Sequence, residues 1–249
     1  MRAWPFAGHE MSGIPYTRSY KCAWEDCKDQ IAGIASSIAG ADVIEIGAGR
    51  APLFKAADLP PSVASYTLSD ISESELDQAP EQYNKICFDA CGDITAIDSR
   101  YNLAFSRMLV EHVSDGYRFH SNIFELLKPG GISFHFIPTL FSPPFAINRL
   151  LPESLSRSLL GFFFKQRNDE QVPKFPARYS MCHGKTAGLI QRYKSIGYAE
   201  VDIRTFYGHG YFEKLPGVRE IDHALSLMAY QRGWTILGSY AWIKLVKPT

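Results

Sequence analysis

Cysteine is scarce in this chain. The 249 residues hold five, at positions 22, 27, 87, 91 and 182. An odd count in a chain of this size argues against a disulfide framework. Neither Cys22/Cys27 nor Cys87/Cys91 has the two-residue spacer of a zinc knuckle, although the four-residue spacer of the first pair suits some structural zinc sites. Ile94 stands where a three-cysteine radical cluster would place another cysteine after Cys91. The five are read as reduced, mostly buried small hydrophobes.

Excess charge of either sign is also missing. Lys plus Arg is 26 and Asp plus Glu is 26, so no basic footprint marks a nucleic-acid partner. No apolar run is long and regular enough to span a bilayer. The longest uncharged window, 129–148, contains Pro129, Pro138, Pro143, Pro144 and His135, which a membrane helix would not carry together. Met1–Glu10 lacks the apolar core of about seven residues that a secretory signal needs. The expected location is therefore cytoplasmic. Repeats and low-complexity tracts are absent.

What is present is an ordinary globular composition, 46% apolar and 21% charged, and a length worth one or two domains at about 150 residues each. Short apolar runs alternate with helical patterns, the mark of a parallel sheet covered on both faces. Strands are expected at 42–46, 65–69, 85–89, 102–106 and 131–138. Ahead of the first, Trp24, Cys27, Ile31, Ile34, Ala35 and Ile38 form one amphipathic stripe ended by Gly40. The pattern breaks from 139 to 183, where prolines accompany a Leu/Phe-rich piece around 150–164. It returns with helices at 185–196 and 218–231 and strands at 200–206 and 236–246. We read a single domain over 1–249. Its parts are an N-terminal arm and first helix (1–40), a core (41–138), an insertion (139–183) and a C-terminal portion (184–249).

The stretch Asp42-Val43-Ile44-Glu45-Ile46-Gly47-Ala48-Gly49-Arg50-Ala51 reads as a buried strand, a tight glycine turn and then a helix. Gly47 and Gly49 permit positive φ and close backbone approach to a ligand, and a following helix would present free N–H groups. Asp70 closes the second strand and can accept both hydroxyls of a ribose. Asp89 closes the third and can accept a purine amino group, with the Ala90 N–H on a ring nitrogen. Each acid could instead cap a helix, and Asp70 with Glu73 resembles a capping box. Together, three carboxylates at neighbouring strand ends line the crevice where open α/β sheets bind ligands. Pro52 occupies the third-glycine position of a NAD site, and Glu45 disfavours a pyrophosphate. The set suits a ligand with an ammonium and no phosphate, a description that fits S-adenosylmethionine.

Glu45-Ile46-Gly47-Ala48-Gly49 resembles motif I of the class I S-adenosylmethionine-dependent methyltransferases. Ser69-Asp70, Phe88-Asp89-Ala90, Leu109-Val110-Glu111-His112-Val113 and Leu126-Leu127-Lys128-Pro129-Gly130-Gly131 are similar to later motifs, the last two to the small-molecule branch. The resemblance implies a Rossmann-like α/β fold. Its seven-stranded mixed sheet has helices on both faces, an antiparallel last strand and a helical lid after strand 5. It also implies site roles. Gly47, Ala48 and Gly49 pass the methionine moiety, while Glu45 holds the turn and the amino group. Asp70 binds ribose, Ile71 packs on adenine, and Asp89 and Ala90 bind its edge. Ser106 and Arg107, just past the fourth strand, lie near the methionine end. Ala51 replaces a frequent third glycine, and Arg50 is a bulky neighbour to the turn.

Methyl transfer from a sulfonium mainly needs alignment, and an oxygen nucleophile also needs a base, for which histidine is suited. His112 and His209 are the catalytic candidates. His135 and His183 rank below them, with Tyr179 and Tyr207 also open. Arg18 and Tyr20 are candidates for an arm over the cofactor. No metal is expected. The acceptor is a small molecule such as a sugar, lipid or secondary metabolite, with O-methylation favoured. Segment 150–164 is a candidate membrane-surface or dimer contact. Competing hypotheses are a non-catalytic cofactor-binding scaffold and a NAD-dependent oxidoreductase.

Overall fold

The computed structural model describes residues 13–150, 176–213 and 215–249. Among these, seven strands form one sheet: β1 (Ala41–Ile46), β2 (Val63–Asp70), β3 (Asn84–Cys87), β4 (Tyr101–Arg107), β5 (Leu127–Pro138), β6 (Glu200–Phe206) and β7 (Tyr240–Val246). The spatial order is β3-β2-β1-β4-β5-β7-β6. β1 to β5 pair in parallel. β7 runs antiparallel between β5 and β6, with His135 opposite Ile243 and Ile203 opposite the same residue on the other side. This is the expected fold class. The strand order reverses between β1 and β4, which opens a crevice beyond their C-terminal ends.

Helices cover both faces. On one side α1 (Tyr20–Glu25) and α2 (Cys27–Ser36) pack down. They are two helices rather than the expected one, because the chain changes course at Asp26. Tyr66 of β2, Phe105 of β4 and Phe54 of the crossover form a ring cluster nearby, the first two stacked at 6.3 Å. On the other side α4 (Gly116–Leu126) buries Phe119, Ile123 and Leu126. Each of these side chains contributes about 1.5–3 kcal/mol through removal from water. α6 (Ala187–Ile196) lies beside it, capped by Thr186 and closed by Gly197.

Two local expectations are corrected. The helix expected after the glycine turn does not form; only a 3-10 turn at Ala56–Asp58 interrupts the crossover. Its backbone groups are taken elsewhere, the Leu53 N–H by Glu45 at 2.9 Å and the Phe54 carbonyl by the Tyr83 hydroxyl at 3.0 Å, and Pro52, Pro60 and Pro61 limit helix growth. Conversely, α5 (Pro143–Leu150) begins where the proline pattern read as irregular. Prolines in a first helical turn lack only an N–H that would have been unpaired. α3 (Glu73–Asp77) and α7 (Val218–Gln231) complete the helices named here. Among the described residues no helix is long and apolar enough to cross a membrane. The Leu/Phe-rich contact expected at 150–164 lies almost wholly outside the described residues.

Candidate active site

The turn after β1 is built from two left-handed glycines, Gly47 at φ 72° and Gly49 at φ 54°, a conformation costly for other residues. A Cβ on Gly47 would stand 2.7 Å from Leu109, which packs over the turn from the far side of the crevice. The Gly47 and Ala48 N–H groups both donate to the Ser69 carbonyl of β2, at 2.8 and 2.9 Å. The turn is thus held by the neighbouring strand rather than by a helix of its own.

Asp70, the last residue of β2, completes the clasp. Its Oδ2 accepts the Gly49 N–H at 2.9 Å and its Oδ1 accepts the Ser72 N–H at 3.0 Å. The cap of α3 is Ser72, whose hydroxyl accepts from the Glu75 N–H, so Asp70 is not the cap that its spacing to Glu73 resembled. A carboxylate has about four acceptor positions; two remain on Asp70 for hydroxyls of a ligand. Arg50 turns outward to pair with Glu75, Nε to Oε2 at 2.7 Å. Glu75, which no sequence pattern marked, thereby stands beside Asp70.

Glu45 serves the turn. It is buried, accepts from the Tyr66 hydroxyl and from the Leu53 N–H, and so fixes the chain on both sides of the glycines. Burial pushes its carboxyl above the usual carboxylate range, and those two hydrogen bonds oppose the rise.

At the next strand, Asp89 lies two residues beyond β3, which ends at Cys87 rather than at 89. Its Oδ1 accepts from the Cys91 N–H at 2.8 Å, and its carbonyl from the Gly92 N–H. Asn122 of α4 donates to the Ala90 and Gly92 carbonyls, both at 2.9 Å, which fixes this turn from outside; sequence reading passed over it. Ile71 exposes 57% of its surface next to Asp70. An exposed isoleucine between two acids suits the flat face of a purine whose edge and sugar are polar.

Ser106 and Arg107 are the last two residues of β4, not residues past it. Ser106 is fully buried and its hydroxyl meets His135 Nδ1 at 2.8 Å, so its side chain points into the core. Arg107 is exposed at the strand end. The donor set fits an adenosyl ligand without phosphate. Asp70 keeps acceptor positions for a ribose, Asp89 one for an amino group, and a turn with glycine at 47 and 49 admits a chain passing close by.

A family model for a methyltransferase domain matches residues 16–175. The chain belongs to the methyltransferase-domain family. Its sheet is that of the class I, S-adenosylmethionine-dependent type. Haemonchus contortus phosphoethanolamine N-methyltransferase 2, solved with phosphomonomethylethanolamine and S-adenosylhomocysteine, is similar at TM-score 0.52 and 15% identity over 89% of this chain and 53% of that one. An S-adenosylmethionine-dependent methyltransferase from Mesorhizobium loti gives TM-score 0.53 and 15% identity over 96% and 100%. The [4+2]-cyclase SpnF gives 0.53 and 14% over 95% and 86%. The chain spans about half the length of the first of these. No curated protein matches it. At such identities the solved structures speak for the fold, and the chemistry is argued from the site.

Beyond the crevice, the loop after β4 is clamped by residues 176–183. The Glu111 carbonyl accepts from the Arg178 and Tyr179 N–H groups at 2.6 and 3.0 Å, and Ser180 Oγ accepts from the Gly116 N–H at 2.8 Å. Met108, Tyr179 and Met181 all have positive φ, between 52° and 58°, so backbone strain gathers at this junction. His112 sits there with its side chain one-third exposed, Nδ1 3.4 Å from the Pro176 carbonyl and Nε2 3.7 Å from Glu111 Oε1. A carbonyl contact calls for the proton on Nδ1. Glu111 itself is buried, its Oε2 has no hydrogen-bond partner, and burial pushes its carboxyl up to about 8.

His209 differs. It is buried, with Nε2 3.1 Å from Asp222 of α7 and Nδ1 accepting the Tyr211 N–H at 3.2 Å. Both nitrogens are occupied, so it anchors the loop after β6 and offers no lone pair. His135 is buried, and His183 meets the Gly184 carbonyl through Nδ1. Arg18 and Tyr20, the candidates for an arm, pair through their backbones with the residue that follows β6. Tyr20 N–H donates to the Tyr207 carbonyl and Tyr207 N–H to the Arg18 carbonyl, at 3.0 and 2.8 Å, which ties Arg18 and Tyr20 to β6 at the far edge of the sheet. Among the described residues no group of three His, Cys, Asp or Glu side chains could hold a metal ion.

Proposed function

We propose that this chain transfers a methyl group from S-adenosylmethionine to an oxygen atom of a small-molecule acceptor, within one domain over 1–249. Bound S-adenosylmethionine supplies an activated methyl on a sulfonium leaving group. Asp70, Asp89 and Ile71 would hold the adenosyl half, and the Gly47–Gly49 turn the methionine half. His112 Nε2 would take the proton of the acceptor hydroxyl, with Nδ1 oriented by the Pro176 carbonyl. The insertion 139–183 would shape the acceptor pocket. Balanced charge supports a small acceptor such as a sugar, lipid or secondary metabolite over a nucleic acid, and a cytoplasmic setting agrees with the reduced-thiol reading of the cysteines.

The observation that carries this reading is the double hydrogen bond of Asp70 to the glycine turn and to Ser72, which aims a carboxylate with spare acceptor positions across the crevice. Thermal-shift measurement with S-adenosylhomocysteine tests it. Wild type should gain about 2–3 kcal/mol of apparent stability at a hundredfold excess over the dissociation constant, and Asp70→Ala much less. No shift in wild type would overturn the cofactor assignment; equal shifts would remove Asp70 from the site. For the acceptor atom, mass spectrometry of products from a panel of hydroxyl and amine compounds decides, and methyl found on nitrogen would replace the oxygen reading.

A further inference from the structure

Helix α7 is amphipathic with much of its apolar surface turned away from the core. It buries Asp222, Ser226 and Ala229, while Ile221, Leu225, Val218 and Met228 are 64%, 45%, 44% and 36% exposed. A surface helix ordinarily buries its large apolar residues. Here the hydrogen bond of Asp222 to His209 fixes the inward face with a polar contact and so holds the apolar stripe toward solvent. At about 100° per residue the four side chains fall within an arc of roughly 80°. Their spacing of three, four and three is that of the a and d positions of a helix pair.

Trp234, Ile236 and Leu237 follow directly and are each 40% exposed. The stripe alone exposes on the order of 350–400 Å², an area a monomer can carry. With the three following side chains it reaches roughly 650 Å², so a symmetric pair would bury about 1,300 Å², within the range of specific interfaces. The charges argue against lipid as the occupant. A membrane-surface helix carries Lys and Arg along its polar face, whereas in α7 Arg219 is paired with Glu220 at 2.9 Å and His223 lies 3.7 Å from Glu213. Ala224 and Gln231 on the solvent side bring no positive charge.

We propose that α7 and the Trp234–Leu237 turn form a two-fold interface between two copies of this chain. An antiparallel crossing centred near residue 223 sets Ile221 against Leu225 of the partner subunit and Val218 against Met228 of the partner subunit, a self-matching arrangement. The interface is independent of the methyl-transfer reading.

Sedimentation equilibrium of the full chain, from about 1 to 200 μM, tests this against the Ile221→Glu/Leu225→Glu double variant. Wild type should dimerise with a micromolar dissociation constant. The variant should weaken dimerisation at least a hundredfold while keeping its melting temperature and its response to S-adenosylhomocysteine. A wild type monomeric throughout that range would overturn the proposal, as would a variant that still dimerises. A monomeric wild type that co-sediments with phosphatidylcholine/phosphatidylglycerol vesicles would assign the face to lipid instead.

Discussion

The Gly49 N–H and Asp70 Oδ2 lie 2.9 Å apart, so the tip of the glycine turn hangs from the end of the neighbouring strand. The bond makes the turn and the carboxylate proposed to hold the ribose one unit. Gly49→Ala, at φ 54°, should strain that unit and cost about 1–2 kcal/mol of stability. It should also weaken S-adenosylhomocysteine binding, although the new methyl would stand 3.8 Å from Asp70 Oδ2, an ordinary contact. Parallel melting and titration calorimetry check it; unchanged affinity would show that the bond is not needed for binding.

Glu111 should make stability fall as pH rises. Its folded carboxyl titrates at about 8 because of burial, while the unfolded chain titrates near 4.3. Between these values the unfolded state has released a proton that the native state keeps, which favours unfolding. Glu111→Gln should therefore be more stable than wild type at pH 8, by on the order of 5 kcal/mol, with the advantage gone near pH 4. Urea midpoints across pH 4–8 measure the difference.

A buried histidine pair imposes the opposite slope. His120 and His135 rings lie 4.9 Å apart, and burial pushes His135 down to about 3 and His120 well below the usual histidine range. Unfolded histidines bind protons below about 6.5, so each withdraws up to about 1.4 kcal/mol per pH unit as acid is added. His135→Gln should flatten the acid limb of the stability curve between pH 6 and 4. A limb of unchanged steepness would mean that acid unfolding has another origin.

His112→Gln should lower turnover of an accepted hydroxyl substrate by about a hundredfold or more. Its S-adenosylhomocysteine thermal shift should match wild type. A variant that keeps its rate would show that the acceptor loses its proton to another group or to water.

Gly184 sits where a Cβ would stand 1.7 Å from the Thr235 carbonyl oxygen. Gly184→Ala must therefore separate the segment before α6 from the turn after α7, a backbone shift costing about 1–3 kcal/mol or more. The melting temperature should drop accordingly, and a wild-type value would mean that the two segments part easily.

Much of the architecture was legible because period-two and period-3.6 patterns are imposed by burial. β6 at 200–206 and α7 at 218–231 appear with the expected bounds. The glycine turn was legible because few residue types tolerate the positive φ of positions 47 and 49. What was hidden depended on side-chain to backbone bonds between distant residues. Glu45 capturing Leu53 removes a helix that local propensity allows. Asn122 reaching the Ala90 and Gly92 carbonyls leaves no trace in spacing. His209 read as a catalytic candidate, with no sign in the sequence that Asp222 and Tyr211 occupy both nitrogens. Which face of α7 meets the core was hidden for another reason, since its pattern gives the helix but not its orientation.

Cys87, the last residue of β3, is exposed, while Cys22, Cys27, Cys91 and Cys182 are buried. Its sulfur lies 3.6 Å from the Ile71 carbonyl, beside the isoleucine that would floor the purine. A maleimide dye would thus mark the native protein at one place, and the speed of labelling would report whether the end of the crevice proposed for the nucleoside is filled, with no engineered handle and no knowledge of the acceptor.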